Sequence, residues 1–346
     1  MEAAVFDAYG GPVTLRTVAT PIPPTDGVVV RVLACGVCRS DWLAWKGADP
    51  VSALPHVPGH ELAGIVEEVG PHCIRWRPGD RVTAPFVAAC GTCGTCRAGH
   101  ATACLDQYVI GFSGWGAFAE FVAIPHADFN LVAVPDGIEP TVAAALGCRV
   151  TTAFGGIVDR ARLGPGEWLA VHACGGIGLS AVMLGAAVGA SVIAIDINPE
   201  KLALAERLGA TESIDARAVD DIPAAIKGLT GGGADVSVDA LGSAATCRNS
   251  ILCLRTLGRH VQIGQPTLDD DPPTIPVGAV YAGQLTVLGT RGLAPHRFSA
   301  LFKMIAAGRI DPGLLITRRL GLDEAGDALA AMDSYEELGV AVIDRF

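Results

Sequence analysis

Charge is scarce in this chain. Charged residues fill 18% of the 346 positions, and the formal net charge is -11. That leaves no basic surplus for a phosphate backbone, which a nucleic-acid-binding surface needs. Internal repeats and low-complexity linkers are absent as well. The N-terminal MEAAVFDAYGGPV has neither the basic start nor the apolar core of a secretory signal. A reducing, cytoplasmic setting is therefore expected for the eleven cysteines. In such a setting clustered cysteines more often bind metal than form disulfides.

What is present is apolar. Half of the residues are hydrophobic, enough to bury large cores, and the length predicts two domains. The 43 glycines are spread among apolar runs and indicate tight turns rather than disorder. From Leu169 to Ile195 no Lys, Arg, Asp or Glu occurs for 27 positions, long enough to cross a bilayer. CGGIG and VGA interrupt this run, so it reads as strand, turn, helix (Ile177–Val188), turn and strand. No membrane span is expected.

The texture changes along the chain. Up to about residue 147, short β-rich runs such as GVVVRVLACGVC and GAFAEFVAI alternate with Gly and Pro. From about 150, strands alternate with helices, which predicts a right-handed parallel sheet. AATCRNSILCLRTLG reads as one of these helices and RHVQIG as the strand after it. QPTLDDDPPTIP reads as a surface loop, QLTVLGTRG as a final strand, and the tail as helical with a closing strand. The fold class expected is α/β: a β-rich domain (1–149 and 290–346) and a doubly wound parallel-sheet domain (150–289).

HACGGIGLSA follows a predicted strand and opens a helix. Aligned on G-x-G-x-x-G, its first position is Ala173, followed by Gly175, Gly176, Ile177 and Gly178. Small residues there let the backbone approach a pyrophosphate seated on a helix N-terminus. Asp196 ends the next strand, twenty-one residues after Gly175. Its carboxylate suits the two ribose hydroxyls of NAD and repels a 2′-phosphate. The plain alternative is a glycine turn followed by a capping Asp. Ile197 and Lys201 lie close enough to reach the same ribose. Leu241, Ile263 and Leu288 end later strands and are candidates for the nicotinamide end.

Cysteines form two sets. Cys90, Cys93, Cys96 and Cys104 follow the spacing C-x2-C-x2-C-x7-C, while Cys38, His60 and Cys148 are scattered. Two thiolates and an imidazole with an open fourth position make a catalytic zinc shell. GHELAG is no metalloprotease helix, because Gly64 stands where H-E-x-x-H needs histidine. Cys35 and Cys38 lack the thioredoxin-like setting of a redox pair.

GVCRSD, PGHE, the four-cysteine run, LGC and the nucleotide loop occur in the order found in zinc-dependent alcohol dehydrogenases. The whole chain resembles that family of the medium-chain dehydrogenase/reductase superfamily, whose domains are a GroES-like catalytic domain and a Rossmann domain. The resemblance implies two zinc ions: a catalytic one on Cys38, His60 and Cys148, and a structural one on Cys90, Cys93, Cys96 and Cys104. It further implies that Ser40 hands the substrate proton onward, that Asp41 orients His60, and that Glu61 can approach the metal. Arg39 matches a pyrophosphate contact, Thr152 a position near the nicotinamide, and Phe86 a pocket-lining aromatic. Trp42 and Trp115 are further pocket candidates. Four thiolates leave no open position, so the four-cysteine site is structural. An iron–sulfur run would close with C-x3-C-P instead. His100 is then a bystander, and Cys35, Cys73, Cys174, Cys247 and Cys253 are small apolar fillers.

Two departures stand out. Leu43 occupies the place of a proton-relay histidine, and His56 is the nearest substitute in sequence. Arg149, next to Cys148, either pairs with an acidic residue or favours a carboxylate-bearing substrate. The activity implied is reversible oxidation of an alcohol to an aldehyde or ketone with NAD+, zinc serving as Lewis acid, in a cleft between the domains. A dehydrogenase of a polyol or other hydroxy compound, such as an amino alcohol, within the same superfamily is the alternative among enzymes, and a redox-inactive NAD- and zinc-binding protein the alternative outside them. The partners implied are a small-molecule substrate and further copies of the chain, as a homodimer or homotetramer.

Overall fold

The structure is a computed structural model and describes residues 1–266 and 272–346. Two compact units emerge: Met1–Thr151 with Gly292–Ala306 and Ile316–Phe346, and Thr152–Arg291 with Ala307–Leu315. The sequence reading kept all of 290–346 in the first unit. Ala307–Leu315 groups with the second because Arg309 Nη2 donates to the carbonyl of Ala187 (3.2 Å) and the short helix Pro312–Leu315 packs on helix Gly176–Val188. The expected loop QPTLDDDPPTIP includes 267–271, which lie outside the described residues.

The first unit is built on two long strands. Val28–Val37 and Glu61–Val69 are rich in β-branched residues, which fit a pleated, buried surface. They pair antiparallel from Val28 opposite Val69 to Gly36 opposite Glu61. That register has a direct consequence: Cys38 leaves the end of one strand where His60 enters the other. Ile316–Gly321, Val340–Arg345, Arg81–Thr83, Val132–Ala133 and Phe121–Ile124 complete the sheet. Ile316–Gly321 pairs parallel with Val340–Arg345 and interrupts a tail that the sequence suggested was helical. The core beneath includes Phe6, Leu62, Ile110, Phe118 and Ile124, all fully buried.

The second unit is an all-parallel six-stranded sheet. Numbered along this unit its strands lie in the order 3-2-1-4-5-6, the doubly wound arrangement. Its first turn of chain runs strand Trp168–His172, helix Gly176–Val188, strand Ser191–Asp196. This accounts for the uncharged run: Leu169, Val171, Ile193 and Leu184 are fully buried on a sheet covered on both faces. One boundary differs from expectation. The helix reading of AATCRNSILCLRTLG stops at Leu252, and Leu254–Gln262 is a strand. Leu257, at φ +63°, lies where the ladder shifts register between Ala234 and Val236, an irregularity that helical periodicity does not reveal.

Candidate active site

Cys38 caps the helix Arg39–Lys46, whose first turn carries Asp41. The Asp41 carboxylate is wholly buried and ties the start of its own helix to the Gly59–His60 segment. Its Oδ2 accepts the backbone N–H of Cys38 (2.9 Å), and its Oδ1 accepts that of Gly59 (3.0 Å). The same Oδ1 lies 2.7 Å from His60 Nδ1. This bond places the proton on Nδ1 and leaves the lone pair on Nε2. Among the described residues His60 Nε2 is buried without a hydrogen-bond partner. Such an atom is costly unless something binds there.

Cys148 reaches the same point from a helical segment. Pro140–Ala145 starts with proline at its first position, where a missing N–H costs nothing. Gly147 then breaks the helix with φ 1° and ψ -119°. A Cβ on Gly147 would lie 2.5 Å from that of Glu61, so only glycine fits. Thr151 Oγ1 donates to the carbonyls of Gly147 and Cys148, satisfying groups freed by the kink. The ligand atoms of Cys38, His60, Glu61 and Cys148 all lie within 4.8 Å of one another. A tetrahedral zinc shell needs sulfurs about 3.8 Å apart, given a Zn–S bond near 2.3 Å. The donor set, its buried orphan nitrogen and its spacing fit a zinc ion.

The electrostatics agree. The hydrogen bond from Cys148 is the largest influence on Cys38 and pushes its thiol well below the ordinary range, while the same contact and burial push Cys148 up. Burial opposes charge on His60, but Asp41 and the Cys38 sulfur outweigh it and hold the ring well above its usual value. A cluster so disposed to gather positive charge suits a cation in place of the protons.

Glu61 does not face this point freely. Its Oε1 accepts the Cys148 N–H (3.0 Å) and Arg149 Nε (3.1 Å), and its Oε2 accepts Arg149 Nη2. Arg149 Nη1 donates to the carbonyl of Val37 (3.1 Å). Arg149 is therefore paired, and the reading in which it recognises a substrate carboxylate is not needed. Gly36 makes room for the pair, since a Cβ there would lie 2.2 Å from Glu61 Oε2.

Around the ligands, Phe86 presents its ring edge-on to His60 at 5.8 Å, and Phe112 does the same at 5.7 Å. Phe112 was not singled out from sequence, and nothing local to GFSG marks it. Ser40 is half-buried on the first turn after Cys38. Trp42 is buried and donates to Asp333 Oδ1 (2.6 Å), whereas Trp115 is partly exposed and donates to the Pro55 carbonyl (3.1 Å). Arg39 lies between the rings of Trp42 (3.7 Å) and Tyr335 (3.8 Å) and donates to the carbonyl of Met332. Leu43 is buried, and His56 Nε2 is bound to the carbonyl of Gly111 (2.8 Å). The backbone thus occupies His56, which makes it a poor replacement for the missing relay histidine.

The four-cysteine run closes on itself. Its sulfurs also lie within 4.8 Å of one another, with Cys104 3.5 Å from Cys90 and 3.9 Å from Cys93. Backbone N–H groups of Cys93 and Cys90 point at the sulfurs of Cys90 and Cys104 (both 3.3 Å), and that of Asp106 at Cys104 (3.4 Å). Such donors stabilise thiolates, and the Thr95 hydroxyl helps bring Cys93 down to about 5. The cluster fits a closed tetrathiolate shell. His100 lies exposed on its rim.

In the second unit the nucleotide loop follows strand Trp168–His172. Ala173 adopts φ +72°, a left-handed conformation that glycine takes without strain. Gly178 has no room for a Cβ, which would lie 1.9 Å from the Ala173 carbonyl oxygen. Gly175 caps the helix that begins at Gly176, and Ile177 sits in its first turn. Asp196 is buried; its Oδ2 accepts the Cys174 N–H (2.6 Å) and its Oδ1 that of Asn198 (2.8 Å). Ile197 is exposed beside it, and Lys201 is buried in the next helix. Leu241 and Ile263 follow strand ends on the same edge of the sheet, and Leu288 lies within Thr286–Gly289. Thr152 is buried at the start of this unit.

Comparison with known proteins agrees with this architecture. Residues 24–136 match the alcohol dehydrogenase GroES-like domain and residues 176–307 the zinc-binding dehydrogenase family. The geraniol dehydrogenase of Castellaniella defragrans is 34% identical over 99% of this chain and 93% of its own. The alcohol dehydrogenase structure from Thermus sp. ATN1 superposes with a TM-score of 0.90 at 32% identity, covering 100% of both chains. A zinc-binding dehydrogenase from Sinorhizobium meliloti 1021, solved bound to NADP, gives 0.87 at 28% identity over 99% of this chain and 98% of its own. The chain belongs to the zinc-dependent alcohol dehydrogenase family of the medium-chain dehydrogenase/reductase superfamily. It is an oxidoreductase of that family, with a GroES-like and a Rossmann fold.

Proposed function

We propose that the protein catalyses the reversible oxidation of an apolar alcohol to an aldehyde or ketone with reduction of NAD+, using two zinc ions per chain. The observation that carries this reading is the buried, unpartnered Nε2 of His60, its ring fixed by Asp41, beside the sulfurs of Cys38 and Cys148. Bound there, zinc supplies Lewis acidity toward an alcohol oxygen and an open fourth position. Cys38, His60 and Cys148 hold it. Ser40, on the first helical turn beyond Cys38, accepts the proton of the alcohol as its own hydroxyl proton passes to water. The ring edges of Phe86 and Phe112 exclude water around His60 and favour an apolar substrate. Glu61, engaged by Arg149 and the Cys148 N–H, stays outside the ligand set in this arrangement. Cys90, Cys93, Cys96 and Cys104 hold the second zinc in a purely structural role.

NAD is preferred to NADP on this reading, although the Sinorhizobium relative is bound to NADP. Asp196 offers its carboxylate at the strand end where the ribose lies in this fold, and a 2′-phosphate would face that negative charge. Arg39, Thr152, Lys201 and Leu288 belong to the same proposal as candidates around the dinucleotide, and Trp42 and Trp115 as candidates near the substrate.

A homodimer or homotetramer belongs to the same reading. Thr286–Gly289 is an edge strand of the parallel sheet, and the preceding helix Val277–Gly283 buries no residue, leaving Val277 and Tyr281 71% and 85% exposed. Open edges beside apolar surface are normally covered. A cytoplasmic location suits a chain in which six of eleven cysteines sit in the two metal clusters.

The test is zinc-replete protein offered NAD+ or NADP+ with a panel of primary, secondary and aromatic alcohols, followed by absorbance of the reduced nucleotide. Turnover is expected with NAD+, and its loss in Cys38→Ser with the fold retained. Faster turnover with NADP+ would overturn the cofactor assignment. Silence across the panel, in protein shown to hold zinc and bind NADH, would overturn the activity.

A further inference from the structure

Strands Ala234–Asp239 and Leu254–Gln262 are parallel neighbours, and their last residues, Asp239 and Gln262, stand opposite each other. Asp239 is fully buried, and among the described residues the donors to its carboxylate are neutral. Oδ1 accepts the N–H groups of Leu241 and Gly242, both at 2.9 Å, and Oδ2 accepts Gln262 Nε2 at 2.8 Å. The same Gln262 nitrogen donates to the carbonyl of Gly264 (2.9 Å). Gln262 Oε1 lies 3.2 Å from His260 Nε2, and His260 Nδ1 lies 2.9 Å from Ser250 Oγ. With the proton on Nε2, the chain is consistent from end to end: Ser250 donates to His260, His260 to Gln262, and Gln262 to Asp239 and Gly264. A flipped Gln262 amide would set its oxygen against the Asp239 carboxylate and the Gly264 carbonyl, so its orientation is fixed.

What this chain fixes is two loops. Asp239 pins 240–242 through its side chain, and its carbonyl accepts the N–H groups of Ile263 (3.1 Å) and Gly264 (2.9 Å). The loops touch backbone to backbone: a Cβ on Gly264 would lie 2.2 Å from Gly242 N, and one on Gly242 2.8 Å from the Gln265 carbonyl carbon. They stand at the carboxyl ends of the fourth and fifth strands. In a doubly wound sheet these belong to the second mononucleotide half, while Asp196 marks the first. Leu241, 42% exposed, and Ile263, half-buried, are the residues these loops present.

We propose that Gln262 and Asp239 are positioning residues for the nicotinamide half of the dinucleotide, acting by locking the loops that carry Leu241 and Ile263. The proposal rests on the dinucleotide reading above. It separates the two halves of the ligand, and that gives the test. NADH and ADP-ribose, which lacks the nicotinamide, are titrated into zinc-loaded wild type, Gln262→Leu and Asp239→Asn. Asp239→Asn keeps the shape and an acceptor for Leu241 and Gly242 but turns a donor toward Gln262, so it serves if the leucine variant folds poorly. Each variant is expected to bind NADH about tenfold more weakly, the size of one lost buried hydrogen bond. ADP-ribose binding is expected to stay within about twofold of wild type, since its contacts are made elsewhere on the sheet. Equal changes for both ligands, including none, would overturn the positioning role, because a general loss of structure moves both together. Wild type that binds neither ligand would overturn the dinucleotide reading itself, and with it the proposal.

Discussion

Arg149 closes on both oxygens of Glu61, Nε on Oε1 and Nη2 on Oε2, in an interior where Glu61 is fully buried. Eighty-eight residues separate the partners, and two glycines, Gly36 and Gly147, leave the space in which they meet. Burial raises the Glu61 carboxyl to about 7 even with the guanidinium opposing it, so the charge depends on its partner. Arg149→Met is expected to lower stability by about 3–5 kcal/mol, the usual cost of leaving one member of a buried pair alone. Adding Glu61→Gln should restore much of that loss. Chemical denaturation midpoints of the single and double variants check this. An unchanged midpoint in Arg149→Met would mean that the pair does not hold the ligand loops.

Asp41 orients the His60 imidazole. Asp41→Asn keeps the size and one acceptor but no longer takes the His60 proton with full charge. Zinc affinity at the Cys38 site should fall by about 10–100-fold, as for other outer carboxylates. Competition with a chromophoric chelator measures it, and the four-cysteine cluster is the internal reference. Retained affinity would remove Asp41 from the metal site.

Ala173 holds φ +72° with a methyl group in a left-handed turn, at a cost of roughly 1–2 kcal/mol relative to a right-handed residue. Ala173→Gly removes that strain but frees the unfolded chain, which returns part of the gain. A net stabilisation of about 0.5–1 kcal/mol is expected from these opposing effects. Thermal and urea midpoints should both rise. A fall would show that the methyl packs usefully against the strand.

His172, at the end of the central strand, is pushed down to about 3, chiefly by burial and further by His260. The unfolded chain takes up the proton first, near pH 6.5, while the folded one resists until about pH 3. Acid therefore favours the unfolded state. The stability is full at neutral pH and falls as pH drops below about 6.5, by up to ~1.4 kcal/mol per pH unit from this group. Urea midpoints measured between pH 7 and 4 should show this slope, and His172→Asn should flatten it. Parallel slopes in the two proteins would assign the acid sensitivity to other groups.

The two side-chain clusters were legible because their signals are local. GVCRSD, PGHE and LGC each carry one member of the first cluster with its immediate neighbours, and the four-cysteine run is one continuous motif. Asp196 was legible for the same reason, since a strand, a glycine loop and the next strand fix its distance from Gly175. The partner of Arg149 was not, because nothing near either residue encodes a meeting across 88 positions. Phe112 and the Ser250–His260–Gln262–Asp239 chain were invisible for a similar reason: their residues gain meaning only from strand register. The end of the helix at Leu252 was misjudged because the register shift and the left-handed Leu257 have no periodic signature. Strand Ile316–Gly321 is half exposed and carries arginines, so it lacked the alternation that marks a buried strand.

The pairing of Gly36 with Glu61 brings Cys38 and His60 together across a ladder whose strands are joined by a long connection. A slip of one residue would move Cys38 along the ladder by about 3.4 Å and turn each side chain to the opposite face. Cys38 and His60 could then no longer share one ion. On the proposed zinc reading, metal capture would select the correct register, because only chains with Cys38 and His60 side by side would gain the extra binding free energy. In protein refolded without metal, a fraction that regains its strands yet leaves the Cys38 site empty on zinc addition would be the misregistered population. Supplying zinc during refolding should diminish it.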